Sequence, residues 1–326
     1  MMLLVLILIL LISPLVLTSM GLIWQFRPFS NKSKEKNQRL KITSRIDHTD
    51  QLFTLILKPY YPWQKTIPFH AGQYLEIEIP ISKNQIIKRC YSLADWAENA
   101  SQYEVSIKKE EKGLGSTWLW QHAQQGKTLV TSKPKGHFIL QPNYSKTYVL
   151  VAGGIGITPM RAMWKKILKT EPEAEVHLFY SAKTRESLLY YEELAKEASQ
   201  KSNFHLHGCV SKNIQGWSGL CGRLDAEYIT KQLKNDFKEA DYYFCASSQM
   251  MESLKNNLSK MGVAKNKLNS ESFGFVNEIP KKCHNPCQVS CGLLNIKFEH
   301  PTLFHCLEAN NMNINGHCRA GQCGGC

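Results

Sequence analysis

The feature that most constrains the fold is a change in hydrophobic pattern near residue 147. Before it, runs such as QYLEIEIPI (73–81) and QYEVSIKK (102–109) alternate apolar with polar residues and are separated by turns. After it, the apolar strands YVLVAGG (148–154) and VHLFYSA (176–182) are each followed by a helical stretch. The first pattern predicts an antiparallel β-barrel, and the second predicts an α/β domain with a parallel sheet. The chain is therefore expected to be a multi-domain protein.

Length, charge and cysteine content narrow the class of protein. A chain of 326 residues is too long for one core and predicts two or three domains. Its net charge of +13 is spread along the chain rather than gathered in a basic stripe with interleaved aromatics. We therefore expect no nucleic-acid partner. Eleven cysteines, an odd number, indicate metal ligands or reactive thiols in a reducing compartment rather than a disulfide framework.

The first 26 residues predict a transmembrane helix. They contain no charged side chain and are long enough to cross a bilayer. A cleaved signal peptide is the alternative, but the segment has neither a basic n-region nor an A-x-A-like cleavage site. Residues 27–39 are a basic juxtamembrane linker, which by the positive-inside rule leaves the remainder in the cytoplasm. The expected protein is thus membrane-bound through a single-pass N-terminal anchor, with cytoplasmic catalytic domains.

A cysteine motif near residue 326 has the spacing of an iron–sulfur site. Cys318, Cys323 and Cys326 form C-x4-C-x2-C, which is typical of plant-type [2Fe–2S] ferredoxins. Zinc, which favours C-x2-C pairs, and free thiols are the alternatives. Such a motif needs a fourth cysteine, which we expect beyond Cys326 in a longer protein. Residues 292–326 are therefore predicted to be part of a β-grasp ferredoxin domain, apparently truncated, after a linker at 277–291.

Two short motifs within residues 40–142 have the chemistry of a diphosphate-binding site. Arg89 offers a bidentate fork to a diphosphate, although an ordinary surface charge is the alternative. The second motif, KGLGSTWL (112–119), can begin a helix whose N-terminus faces the phosphates. The residues that would form that helix start are Gly115, Ser116 and Thr117.

A glycine-rich turn predicts a nucleotide site in the second domain. Gly153, Gly154 and Gly156 follow a buried strand and precede a helix, so a pyrophosphate can approach the backbone closely. A tight strand–helix turn without a ligand is the alternative. After the next strand, Ser181 and Arg185 offer donors for a 2′-phosphate, which favours NADPH over NADH.

Taken together, these motifs resemble the ferredoxin–NADP reductase superfamily. The resemblance rests on Arg89-Cys90-Tyr91-Ser92, GLGST, PKGHF, GGIGITPM and ESFGF, and covers residues 40–275. The order flavin, nicotinamide, ferredoxin is similar to the oxygenase-reductase branch, which includes phenylacetyl-CoA epoxygenase reductase and phthalate dioxygenase reductase. It implies an FAD-binding β-barrel domain at 40–142 and an NAD(P)-binding α/β domain at 143–276.

The resemblance also implies roles for single residues. Tyr91 would pack along the flavin ring and its ribityl chain, and Ser92 would hydrogen-bond near the reactive flavin nitrogen. Thr158-Pro159 fits the nucleotide turn of this family. Three further residues would border the nicotinamide near the hydride path: Cys245, Glu271 and Phe273. The family's Cys-Gly-Pro is replaced here by Cys245-Ala246-Ser247.

The function implied is an electron relay. NADPH or NADH would reduce FAD, which would reduce a [2Fe–2S] cluster, which would pass electrons to an acceptor protein. The anchor suggests an acceptor in the membrane, such as a di-iron desaturase, or else an oxygenase. One alternative is an FAD-only, diaphorase-like reductase. The other is a membrane-tethered interaction protein on a degenerate reductase scaffold, which the Cys-Ala-Ser departure favours.

Overall fold

The structure, a computed structural model, describes residues 37–273 except 84, 112, 142–145 and 213–215, and two strands at 287–291 and 294–298. The predicted membrane helix (1–26) and the three cysteines predicted to bind the cluster lie outside the described residues. Within the described part, no helix combines the length and the apolar character needed to span a bilayer. The described residues form two sheet domains and one short hairpin.

The first domain is an antiparallel half-barrel. Its sheet has the order β4-β3-β6-β1-β2-β5. Beyond the end of β4, Leu93 forms a bridge with Val105 of β5, so the two edge strands of the predicted barrel approach each other there. Its first strand begins two residues before the predicted boundary at residue 40. The strands are β1 (Gln38–Asp47), β2 (Leu52–Pro59), β3 (Tyr74–Ser82), β4 (Gln85–Ser92), β5 (Tyr103–Lys108) and β6 (Thr128–Thr131).

The core of the half-barrel follows from period-two alternation. Alternate residues of a strand point to one face, so Leu40 and Ile42 of β1 meet Leu55 and Leu57 of β2 in the interior. One helix, α1 (Leu114–His122), packs against β3 and β4 and adds Leu119 to this core. The helix is thereby held against the strand that carries Arg89.

The second domain is a parallel six-stranded sheet with the order β10-β9-β8-β7-β11-β12. The chain starts in the middle at β7, moves outward through β8, β9 and β10, and then crosses to β11 and β12. The order therefore reverses between β7 and β11, and such a switch point opens a crevice at the carboxyl ends of the strands. The strands are β7 (Thr147–Gly153), β8 (Glu175–Ala182), β9 (Phe204–Val210), β10 (Leu220–Cys221), β11 (Asp241–Cys245) and β12 (Leu268–Glu271).

Helices cover both faces of the parallel sheet. On one face, α2 (Ile157–Thr170) and α3 (Tyr191–Gln200) bury an apolar cluster that includes Leu150 and Trp164. On the other, α4 (Ala226–Leu233) and α5 (Ser248–Lys260) bury a second cluster that includes Val151. Because β7 is covered on both faces, its sequence is continuously apolar. Short 3₁₀ turns at Gly154–Gly156, Arg185–Ser187, Lys234–Lys238 and Lys265–Lys267 complete the domain.

A separate hairpin follows in sequence. Strands β13 (Cys287–Cys291) and β14 (Leu294–Phe298) pair antiparallel, with Cys287 opposite Phe298. The first of these strands lies within the segment predicted to be a linker. The predicted ferredoxin domain is otherwise outside the described residues.

Candidate functional site

The two predicted flavin motifs, which are distant in sequence, are adjacent in the fold. A Cβ atom added to Gly115 would lie 2.9 Å from Cγ of Arg89 and 3.0 Å from Cδ1 of Ile79. Only glycine therefore allows the first turn of α1 to pack directly on the aliphatic stem of Arg89. In this structure Nη1 of Arg89 donates to the Lys88 carbonyl at 2.7 Å. A cationic side chain whose stem packs on a helix N-terminus supplies the two kinds of donor that a diphosphate requires.

Ser116 and Thr117 stabilise the turn that precedes α1. The Ser116 hydroxyl accepts a hydrogen bond from the Glu110 amide at 3.0 Å and donates to the carbonyl of Gly113 at 3.3 Å. The Thr117 hydroxyl donates to the Glu110 carbonyl at 3.5 Å. The three residues predicted to begin a helix do lie in its first turn, Gly115, Ser116 and Thr117 of α1. The two hydroxyls stabilise the preceding loop, so the backbone amides of this turn are the groups that could face a phosphate.

Tyr91 and Ser92 end strand β4, two and three residues after Arg89. The Ser92 hydroxyl is buried and has no hydrogen-bond partner among the described residues. An unsatisfied buried polar group costs about 1–3 kcal/mol, so this hydroxyl suits a bound ligand that completes its hydrogen bonding. Burial raises the pKa of the Tyr91 phenol, with Arg89 acting in the opposite direction, so the ring stays neutral. The residues present therefore fit a flavin nucleotide.

Sheet register gathers four predicted residues at the carboxyl edge of the parallel sheet. Gly153 of β7 lies beside Ser181 of β8. On the other side of β7, Ala152 lies beside Cys245 of β11, which in turn lies beside Glu271 of β12. This row crosses the point where the strand order reverses, which is where α/β sheets bind their ligands.

The glycine turn is built for close approach of backbone. A Cβ atom on Gly156 would lie 1.9 Å from the carbonyl oxygen of Cys245, so the turn packs directly against β11. Gly154 has φ +54° and open space where its Cβ would be. Thr158 and Pro159 are buried, and the Thr158 hydroxyl donates to the Ile155 carbonyl at 3.0 Å, which fixes the start of α2.

The Cys245-Ala246-Ser247 departure is accommodated locally. A Cβ atom on Gly153 would lie 2.8 Å from Cβ of Ala246, so the extra methyl fills space beside the glycine turn. Burial raises the pKa of the Cys245 thiol well above its usual value, and the nearby Glu271 charge adds to this effect. Cys245 is therefore a neutral thiol at pH 7. Phe273, the third residue predicted near the hydride path, is 40% exposed.

The predicted 2′-phosphate donors are not equally available. Ser181 stands in the carboxyl-edge row, whereas Arg185 lies in the following 3₁₀ turn. There Arg185 donates to Glu192 at 2.6 Å, and both side chains are more than half exposed. A 2′-phosphate would have to compete with this carboxylate for the guanidinium.

Comparison with known proteins identifies both domains. Residues 39–139 match the Oxidoreductase FAD-binding domain, and residues 150–256 match the Oxidoreductase NAD-binding domain. These are the FAD-binding and NAD-binding domains of the ferredoxin reductase superfamily. The chain is accordingly an oxidoreductase of this type.

Relatives share these two domains in different contexts. The chain is 30% identical over 256 residues to a flavohemoprotein of Bacillus subtilis, covering 77% of this chain and 60% of that protein. It is 29% identical over 209 residues to the anthranilate 1,2-dioxygenase electron transfer component of Acinetobacter baylyi, covering 64% and 59%. The chain thus spans about 60% of the length of the curated relatives it matches.

A solved structure shares the fold over most of the chain. Phthalate dioxygenase reductase, described as a modular structure for electron transfer from pyridine nucleotides to [2Fe–2S], superposes with a TM-score of 0.66 at 23% identity. The match covers 91% of this chain and 87% of that one. This similarity supports the fold of a half-barrel followed by a parallel-sheet domain.

The FAD-binding and NAD-binding domains meet through a polar interface that the sequence did not predict. Its centre is Arg161 on α2, which is buried. It donates to the Ala94 carbonyl at 2.8 Å and to Glu104 at 3.2 Å across the interface, and to Glu193 at 2.8 Å within its own domain. Burial alone would lower the pKa of this guanidinium, but Glu104 and Glu193 raise it, so Arg161 remains charged.

Tyr190 extends the interface. Its hydroxyl donates to Glu104 at 2.8 Å and hydrogen-bonds Ser106 of β5, and the Arg161 guanidinium lies 4.4 Å from its ring centroid. Tyr190 has φ 64°, a left-handed conformation that is uncommon outside glycine. Such a conformation persists where surrounding contacts determine it, and here those contacts join the two domains.

Proposed function

We propose that this chain is a membrane-anchored, NAD(P)H-dependent flavin and iron–sulfur reductase with cytoplasmic catalytic domains. Electrons would pass from NADPH or NADH through FAD and a [2Fe–2S] cluster to an acceptor protein. That acceptor would be an oxygenase or a membrane di-iron desaturase. The anthranilate dioxygenase component and the phthalate dioxygenase reductase fold support this class of acceptor.

One observation carries the proposal: the candidate flavin and nucleotide motifs are close in space. The Gly154–Gly156 turn lies against β5 of the half-barrel. β5 is bridged through Val105 to Leu93, the residue that follows Ser92. The glycine turn of one domain is therefore one strand away from the end of β4, where the flavin motif stands. Transfer between two cofactors requires this proximity.

The residues of this chain bind and orient the reactants. Arg89 and the first-turn amides of α1 would neutralise the FAD diphosphate. Ser92 would donate or accept a hydrogen bond near the reacting ring, and Tyr91 would pack along it. When bound, FAD supplies the chemistry that accepts a hydride and releases single electrons. The buried thiol of Cys245 and the Glu271 carboxylate would border the nicotinamide, with Cys245 holding its proton throughout.

The cluster and the anchor are proposed from sequence. Cys318, Cys323 and Cys326 would hold the [2Fe–2S] centre together with a further cysteine. The uncharged segment 1–26 would hold the reductase at the membrane surface, where it meets a membrane-embedded acceptor.

Flavin content tests the first part of the proposal. We expect the purified full chain to be yellow, and Arg89→Ala to weaken FAD binding about tenfold to a hundredfold, since a charge-assisted pair contributes about 1.5–3 kcal/mol. Arg39→Ala is the matched control, because Arg39 stacks on Tyr60 and lies on β1, three strands from β4 in the sheet order. A colourless protein after reconstitution with FAD would refute the proposed function.

Acceptor choice separates the relay from the diaphorase-like alternative. Cys323→Ser in the full-length protein should abolish NAD(P)H-driven reduction of cytochrome c while leaving ferricyanide reduction unchanged. If Cys323→Ser reduces both acceptors as fast as the unsubstituted protein does, electrons leave directly from the flavin. The flavohemoprotein relatives share the FAD-binding and NAD-binding domains, and this similarity is the observation that favours the second candidate function.

A further inference from the structure

Three histidines and a glutamate share one face of the NAD-binding sheet, outside the crevice. Glu175 and His177 are two apart on β8, and His205 and His207 are two apart on β9. Side chains two apart on a strand point to the same face, and the pairing places His177 directly beside His205. The backbone pairing of β8 with β9 therefore places these four residues next to one another on the same face of the sheet.

Three of these side chains converge on one point. Glu175, His177 and His205 each offer a ligand atom, and these atoms all lie within 4.8 Å of one another. Nε2 of His205 is 2.7 Å from the Glu175 carboxylate. The imidazoles of His177 and His205 are stacked, with centroids 4.5 Å apart. Ligand atoms about 2.0–2.1 Å from a tetrahedral ion are about 3.3 Å apart, so a small rotation of side chains suffices.

His207 orients the central histidine. Its Nε2 lies 3.2 Å from Nδ1 of His177, and the planes of the two rings are nearly parallel, 4° apart. If His177 donates its Nδ1 proton to His207, the lone pair of His177 is left on Nε2. A metal-binding histidine is ordinarily fixed in this way by a partner on its other nitrogen.

We propose that Glu175, His177 and His205 form a binding site for a divalent transition-metal ion of the zinc class, with His207 as the positioning residue of His177. Two imidazoles and one carboxylate suit zinc, cobalt or nickel rather than calcium or magnesium, which prefer oxygen ligands alone. The side chains of Glu175 and His205 are 48% and 38% exposed, so an ion reaches the site from solvent. Three protein ligands leave a fourth position for water.

The site is separate from the nucleotide crevice. His177 lies near the amino end of β8, whereas Ser181, which stands at the crevice, lies four residues further along the strand. At about 3.3 Å per residue, the distance along the strand is roughly 13 Å. Metal binding here should therefore leave FAD content unchanged.

Metal titration of the full-length, FAD-loaded protein tests the proposal. After chelator treatment and desalting, calorimetric titration with Zn²⁺ should show one more bound ion in the unsubstituted protein than in Glu175→Gln/His205→Asn. Titration with Co²⁺ distinguishes this site from cysteine sites elsewhere in the chain. The band lost in the double variant should be a ligand-field band without thiolate charge transfer.

Matched variants make the result decisive. Glu175→Gln alone, at an exposed position, should lose affinity without loss of folded protein, which retained FAD content verifies. His207→Asn should preserve the number of bound ions and weaken this one about tenfold to a hundredfold. His122→Asn, at an exposed histidine of the FAD-binding domain, should change neither quantity. Equal Zn²⁺ stoichiometry and affinity in the unsubstituted protein and the double variant would overturn the proposal.

Discussion

At the residue scale, Gly156 is where the nucleotide turn depends on the absence of a side chain. Its missing Cβ would fall 1.9 Å from a backbone oxygen of β11, and backbone cannot move aside as a flexible side chain can. We expect Gly156→Ala to lower the free energy of unfolding by about 1–3 kcal/mol, as overpacking of a core does. It should also raise KM for NAD(P)H, because the turn must shift away from β11. Urea denaturation and steady-state kinetics measure the two effects.

Gly154→Ala is the internal control for that substitution. Gly154 has φ +54° but nothing within 4 Å of its Cβ position, so only the left-handed backbone is penalised. A non-glycine residue in that conformation costs about 1–2 kcal/mol. Equal KM values for the two variants would contradict the view that close packing against β11 fixes the turn.

Cys245 offers a second test at this scale. Because burial raises the pKa of its thiol well above the usual range, Cys245 should resist alkylation in the folded protein. Cys221 is exposed and should react before the other cysteines described in the two sheet domains, which are Cys90, Cys209 and Cys245. Peptide mapping after brief iodoacetamide treatment, with a urea-unfolded sample as the reference, measures both. Rapid labelling of Cys245 at pH 7 would show that the site opens or that the thiol is ionised.

At the element scale, helix α2 couples the two domains through Arg161. Arg161→Ala would leave Glu104 and Glu193 without their buried cation, and breaking a buried ion pair costs about 3–5 kcal/mol. It should also slow flavin reduction by NAD(P)H about tenfold to a hundredfold, because a displacement of about 1 Å between reactants has that effect. Denaturation and anaerobic stopped-flow absorbance give the two values.

Lys165→Ala is the comparison on the same helix. Lys165 pairs with Asp95 at 2.6 Å and with Glu193 at 3.1 Å, but its side chain and that of Asp95 are 24% and 36% exposed. Pairs of this kind contribute about 0.2–1 kcal/mol. If both variants slow flavin reduction equally, the effect comes from general interface charge and not from the buried position of Arg161.

How far the sequence predicts these elements depends on the range of the contacts involved. The runs at 148–154 and 176–182 predict β7 and β8 because a short continuous apolar stretch is visible in the local sequence. Once the sequence is recognised as an α/β domain, its topology predicts that Ser181, Gly153 and Cys245 lie at the same edge of the sheet. By contrast, Arg161 and Glu104 are 57 residues apart and lie in different domains. Nothing in the local pattern around GGIGITPM distinguishes that arginine from a solvated charge on a helix.

The proposed histidine site is only partly predictable from the sequence. The spacings E-x-H in 175–177 and H-x-H in 205–207 are visible in the sequence and place each pair on one face of a strand. Their convergence requires the pairing of β8 with β9, which a sequence without an alignment leaves open. The signal that could have found it is the combination of period-two histidines on two consecutive predicted parallel strands.

At the scale of the whole molecule, the two domains form a unit that begins just after the predicted anchor. The structure describes these domains from Asn37 onward, and the FAD-binding match starts at residue 39. The flavin motif, the glycine turn and the Arg161 interface all lie after that point in the sequence. The cofactor chemistry and the proposed membrane attachment should therefore be separable.

A variant that begins at Asn37 tests this separation. We expect it to purify without detergent, retain FAD and reduce ferricyanide with NAD(P)H at the rate of the full chain, since it keeps the flavin motif, the glycine turn and the Arg161 interface. The full chain should sediment with membranes and be released by detergent but not by high salt, because an apolar span is held by the hydrophobic effect and not by charge. If salt alone releases the full chain, the basic segment 27–39 attaches the protein to the membrane, and residues 1–26 do not span it. Loss of FAD in the variant would instead show that the segment before Asn37 contributes to the flavin domain.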